Sequence, residues 1–187
     1  MTGTRADVRQ RVRVLVLGLG NVLLGDDGVG PATLARLERD YRFPPEVRLV
    51  DGGTLGLALL DELALAEQVI LVDAVATDEA PGTLVRLQGE AVRDAVRERL
   101  SVHQVGVADL LDAARLIGCY PDSVVLLGLV PGSIGVRVGR TAAVDAALTG
   151  LVLAVVREVR SLGYELLEQT QVDGARPIHA LMHHFGV

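Results

Sequence analysis

VRVLVLGLGNVLLGDDGVG, residues 12–30, decides the fold. Its first half is a near-continuous apolar run rich in Val and Leu, the pattern of a strand buried on both faces of a parallel sheet. The run then dissolves into a loop. Gly18 and Gly20 permit a tight turn with close backbone approach, and Asp26 and Asp27 follow before Gly28 and a helical pattern over residues 29–41. QVILVD, residues 68–73, repeats the device and ends a second buried strand on Asp73, an acid that burial would otherwise disfavour. Ligands of open α/β sheets collect outside the carboxyl ends of the strands. His103, in SVHQVG, falls between helical patterns over residues 90–99 and 107–117, so it is expected on a loop that can aim it. Asp27, Asp73 and His103 therefore make a candidate metal site on one rim.

The same alternation continues outward from this stretch. Strands are expected at 47–50, 83–87 and 123–130, and helices at 57–66 and 142–161, with Thr141 as N-cap and Gly163 as stop for the last. Such alternation calls for a three-layer α/β/α sandwich with a mostly parallel, twisted sheet. Two helices with no strand between them, and a strand shortly after Pro81-Gly82, predict one antiparallel edge. Residues 1–163 read as a single α/β domain and 164–187 as a more polar C-terminal tail. In that tail His179, His183 and His184 invite a second metal site, since positions four apart share a helix face. Its apolar residues Ile178, Leu181, Met182 and Phe185 favour packing instead, onto this domain or against another copy in a homo-oligomer.

Composition narrows the function classes. The 187 residues are half apolar with no linker, enough for one domain with a sizeable core. A net charge of −6, few aromatic residues and no basic run argue against nucleic acid or an anionic membrane as partner. No segment approaches the roughly 20 apolar residues that span a bilayer, and no signal cleavage pattern is evident, so a cytoplasmic location is expected. The single cysteine, Cys119, suits a reducing compartment and reads as a structural thiol.

Several familiar motifs come close and fail. Gly18-Leu19-Gly20 starts like a dinucleotide fingerprint, but Leu23 stands at the third glycine position, and Asp26 and Asp27 would repel a pyrophosphate at the helix start. A phosphate loop needs a lysine, and all 18 basic residues here are arginine. Asp51-Gly52-Gly53-Thr54 has the wrong order for an aspartic protease loop and no second copy, and no serine nucleophile elbow is present. The acids also have bland readings. Asp26 or Asp27 could cap the following helix, Asp73 could stabilise the turn through Ala74, and His103 could be an ordinary loop histidine.

GLGNVLLGDDGVG (18–30), DGGTLGLALLDEL (51–63), VDA (72–74), APGT (80–83), SVHQVGVADLL (101–111) and GLVP (128–131), in that order, resemble the hydrogenase maturation endopeptidases, which process the large subunit of nickel-iron hydrogenases. The similarity runs over about residues 14–162 and leaves the tail outside it. It implies an endopeptidase that looks for nickel in the immature large-subunit precursor and then removes a short C-terminal extension. Nickel would arrive with the substrate, and zinc or cadmium could occupy the site in vitro. The family's three nickel-contacting positions fall on Asp27, Asp73 and His103, which would serve as metal contacts and as the catalytic set. Gln104 and Asp26 are candidates for hydrogen-bonding the imidazole, and Asn21, Gly52 and Gly53 for lining the cleft. Hydrolysis could use a metal-polarised carbonyl, a metal-bound water or a carboxylate base. The alternatives are a nickel-dependent assembly chaperone that does not cut, and a nucleotide-binding regulator.

Overall fold

The structure, a computed structural model, describes residues 12–97 and 102–169. In chain order the elements are β1 (Val12–Leu19), α1 (Val29–Asp40), β2 (Tyr41–Arg42), β3 (Val47–Gly53), α2 (Leu60–Ala64), β4 (Ala66–Ala74), β5 (Leu84–Gln88), α3 (Glu90–Arg97), α4 (Val102–Leu116), β6 (Ser123–Leu129), α5 (Ala142–Ser161) and β7 (Leu167–Glu168). Five strands form one sheet in the order β3-β1-β4-β6-β5. The four from β3 to β6 are parallel, and β5 runs antiparallel along the edge, Leu84 facing Leu129 and Gln88 facing Val125. The three-layer sandwich with an antiparallel edge is as the alternation predicts.

Period-two alternation in the central strands explains their unbroken apolar runs. Val14 and Val16 of β1, Ile70 and Val72 of β4 and Val125 and Leu127 of β6 enter one core, beneath α1 and α5. Leu15 and Leu17, Val69 and Leu71, and Val124 and Leu126 enter the other, beneath α3 and α4. Val14 to Leu19, Val69 to Ala74 and Val124 to Leu129 are therefore buried without a break, which only a sheet covered on both faces requires. The long helix α5 buries Val144, Leu148, Leu151, Val155 and Val159, spacings of three and four that put one stripe on the sheet.

Some boundaries differ from expectation. The helix expected at 57–66 is a 3-10 turn, Gly56–Leu59, followed by the five-residue α2. Strand β3 runs three residues beyond the predicted end at Val50, so Asp51 and its glycines lie on the strand. Asp73 is the penultimate residue of β4, which pairs through Ala74 with Leu129. The chain also stays in contact with the domain after Gly163. Leu166 is buried, Leu167 and Glu168 pair antiparallel with Arg42 and Tyr41, and the Gln169 N–H donates to the Asp40 carbonyl at 2.8 Å. His179, His183 and His184 lie outside the described residues.

Candidate functional site at the carboxyl rim

The turn after β1 depends on glycine at two points. Gly20 has φ +113°, and a Cβ there would overlap the Asp27 carbonyl oxygen. Gly30 tucks the start of α1 against two strands, since a Cβ would fall 2.5 Å from the Val72 carbonyl oxygen and closer still to that of Leu19. This close approach seats the start of α1, with the turn carrying Asp27 just before it, against Leu19 of β1 and Val72 of β4. Gly18, expected in the turn, is instead inside β1, where it admits Leu34 of α1.

Asp26 and Asp27 form a single 3-10 turn, Asp26–Gly28, leading into α1. Neither caps the helix; neither N-terminus has a side-chain cap hydrogen bond. Asp27 is 1% exposed, and its Oδ2 accepts the Asn21 N–H at 2.7 Å, the one hydrogen bond to that carboxylate among the described residues. Asn21 in turn accepts the Leu23 N–H on Oδ1 at 2.9 Å, so the loop is self-bracing around the acid. Asp73 is 6% exposed, and its Oδ1 accepts the N–H of Ala74 at 2.7 Å, so the local turn role foreseen for it is also present.

Asp26 does something else. It is fully buried, and its Oδ2 accepts the N–H groups of Gly132 and Ser133 at 2.8 and 3.0 Å and the Thr141 hydroxyl at 2.8 Å, while its Oδ1 accepts the Thr141 N–H at 2.6 Å. Burial pushes this carboxyl up, but the bonds from Thr141, Ser133 and Gly132 together outweigh it and hold Asp26 below the usual aspartate range. The Asp26 carboxylate is thus committed to the loop before α5, and Thr141, at the N-cap position of α5 as expected, gives its hydroxyl to Asp26 rather than to the helix.

His103 was expected on a loop, but α4 starts at Val102, which puts it in the first turn of a helix. The misleading signal is Gly106, which reads as a helix boundary. In the structure it lies within α4 opposite Gly56, where a Cβ on either would come 3.1 Å from the other's Cα. That contact holds the start of α4 against the 3-10 turn that follows β3, at the carboxyl rim. The side chains of His103 and Gln104 lie outside the described residues. Among those residues no group of three or more His, Cys, Asp or Glu is disposed to hold a metal ion. The described part of the constellation is thus Asp27, buried on the turn before α1, and Asp73, buried near the carboxyl end of β4.

The glycines of 51–54 also divide. Gly53, with φ +45°, gives its carbonyl to the Gly20 N–H at 3.0 Å and its own N–H to Asp51 Oδ1 at 3.0 Å, so it joins the two loops of the rim. Gly52 is buried against Leu17 and Leu59 rather than facing a cleft. Cys119 is half-buried against the second core, consistent with a structural thiol. No described helix is long and apolar enough to cross a membrane.

With this geometry in hand, similarity to known proteins is informative. The sequence model of the hydrogenase maturation protease family matches residues 31–158. The chain is 35% identical over 162 residues to the hydrogenase 2 maturation protease of Escherichia coli K12, covering 86% of this chain and 99% of that protein. It is 38% identical over 163 residues to the hydrogenase expression/formation protein HupD of Rhodobacter capsulatus, covering 86% and 78%. Among solved structures, the hydrogenase maturating endopeptidase HybD of E. coli superposes with a TM-score of 0.81 at 36% identity, over 84% of this chain and 98% of that one. The hydrogenase 2 maturation peptidase of Thaumarchaeota archaeon SCGC_AB-539-E09 gives 0.62 at 33% identity, over 79% and 98%. The carboxylate pair thus sits in a fold shared with enzymes that process hydrogenases, and this chain belongs to the hydrogenase maturation protease family and is an endopeptidase.

Proposed function

We propose that this enzyme removes the C-terminal extension of the nickel-iron hydrogenase large-subunit precursor once nickel has been inserted, and that it reads the substrate-held nickel through Asp27, Asp73 and His103. The observation that carries this is the buried Asp27, whose carboxylate accepts a single backbone N–H among the described residues, on the turn that leads into α1, with Asp73 also buried near the carboxyl end of β4. A buried carboxylate with so few donors as Asp27 is costly unless a cation or proton meets it. Nickel presented by the precursor supplies that charge. The site therefore favours loaded precursor over unloaded, and metal insertion becomes the signal for cleavage.

Within the site, the Asn21 N–H fixes the Asp27 carboxylate through Oδ2, leaving Oδ1 to contact the metal or to take a proton from the attacking water. The peptide bond is cut by water, without a covalent enzyme intermediate, which makes this an aspartic-type rather than a serine or cysteine mechanism. The reaction is placed in the cytoplasm, where the lone thiol of Cys119 stays reduced.

Nickel-loaded and nickel-free precursor, incubated with the enzyme and followed by mass, test the proposal. Only the loaded form should lose its extension. Asp27→Asn, which keeps the acceptor for Asn21, and His103→Ala should each lower cleavage by about 100-fold or more while melting stays near wild type. Equal cleavage of both precursor forms would remove nickel from the mechanism, and full activity of either variant would remove that residue.

A further inference from the structure

The loop from β6 to α5 presents apolar side chains to solvent in an unusual way. Val136 and Val138 are 92% and 90% exposed, and Ile134 beside them is also exposed. Across from them, Val22 and Leu23 are exposed on the loop that carries Asp27. Scattered exposed apolar residues are ordinary, but a cluster of five on two joined loops at a catalytic rim is not.

The joining is extensive. The Arg137 N–H donates to the Leu23 carbonyl at 3.0 Å, Gly25 N–H to the Arg137 carbonyl at 3.2 Å, Gly135 N–H to the Leu24 carbonyl at 3.3 Å and Asp26 N–H to the Ser133 carbonyl at 3.2 Å. The buried Asp26 carboxylate then grips both ends of the same loop, at Gly132, Ser133 and Thr141. A loop held this firmly keeps its valines in water in a fixed arrangement, so a partner meets a surface already ordered and little entropy is lost on docking.

Residues 131–141, PGSIGVRVGRT, contain two arginines and no acid, in a chain whose net charge is −6. Arg140 is engaged by Asp145 at 2.7 Å. Arg137 is exposed, its stem lies over Gly25, and among the described residues its guanidinium has no partner. A guanidinium exposed between two exposed valines matches a carboxylate set in an apolar surface.

We propose that residues 133–138, with Val22 and Leu23, dock the precursor beside its cleavage point, Arg137 pairing with a carboxylate of the precursor and the valines covering apolar surface next to it. This rests on the reading of the protein as the processing enzyme of that precursor. It assigns the loop to substrate binding, separate from the carboxylates that meet the metal.

Direct titration of nickel-loaded precursor with wild type, Arg137→Glu, Arg137→Lys and the double variant Val136→Ser/Val138→Ser, together with cleavage kinetics, tests it. Arg137→Glu should raise Kd and KM about tenfold or more with kcat within about twofold, the double variant should do the same, and Arg137→Lys should recover part of the loss. Melting should not move, because none of these side chains is buried. Variants that bind and cut like wild type, or that lower kcat with KM unchanged, overturn the proposal. So does a wild type that is a dimer in solution and becomes monomeric in the double variant, since the surface would then belong to a second copy. Wild type that binds loaded precursor through this loop without cutting it sustains the docking surface and sinks the processing reading instead.

Discussion

Asp26 and Asp27 are neighbours of the same type with opposite fates, and the difference is the number of donors each receives. Asp26 takes four hydrogen bonds from the loop that precedes α5, whereas Asp27 takes one from Asn21. The first is a structural anion, saturated and buried; the second is buried with a single donor among the described residues. The lowered pKa of Asp26 has a consequence for stability. A carboxyl whose folded-state value lies below its unfolded one stabilises the fold above the ordinary aspartate range, and that contribution is lost as pH falls through the acid range. Asp26→Asn should therefore be less stable at pH 7 by about 2 kcal/mol, the worth of hydrogen bonds to a charged group, and should lose less on acidification than wild type. Melting of the metal-free proteins at neutral and acid pH measures both. Parallel acid limbs would show that the Asp26 charge is not what holds the loop.

Elements in this fold meet through glycines at some points and ignore them at others. Gly30 lets α1 rest directly on the backbone of Leu19 and Val72, while Gly150, in the middle of α5, has no atom within 4 Å of where a Cβ would stand. The same substitution should then act in opposite directions. Gly30→Ala pushes a methyl into two strands and should cost more than about 3 kcal/mol or prevent folding. Gly150→Ala removes backbone freedom from the unfolded chain without a clash and should stabilise by about 0.5–1 kcal/mol. Chemical denaturation of the two variants checks the pair, and a destabilised Gly150→Ala would mean that α5 has a neighbour there. Nothing in the sequence around either glycine distinguishes them. Both sit in helical stretches, and only the distance to another element separates a contact glycine from an idle one.

At the scale of the whole molecule, the domain includes the residues just beyond Gly163. Ending the chain at Gly163 removes the buried Leu166 and the pairing with Tyr41 and Arg42, and should lower stability by about 2–3 kcal/mol. Ending it at Gln169 keeps both and isolates the packing expected of Ile178, Leu181, Met182 and Phe185, whose loss should show as a further drop in melting or a change in association. If the shorter-tailed protein ending at Gln169 folds yet no longer responds to nickel, His179, His183 and His184 belong to the functional site after all. The layered α/β/α architecture and the antiparallel edge were legible in the sequence, because strands buried on both faces read as unbroken apolar runs and α5 reads as a three-and-four stripe. So was Asp73 at the end of β4, since a charge closing an apolar run is a local signal. The start of α4 was not, because the Gly56–Gly106 contact that accounts for a glycine inside that helix joins residues far apart in the chain. Nor was the separate role of Asp26, whose partners lie 106 to 115 residues away. Periodicity is written locally and can be read along the chain, whereas the partner of a buried charge is decided only when folding brings distant backbone N–H groups to it.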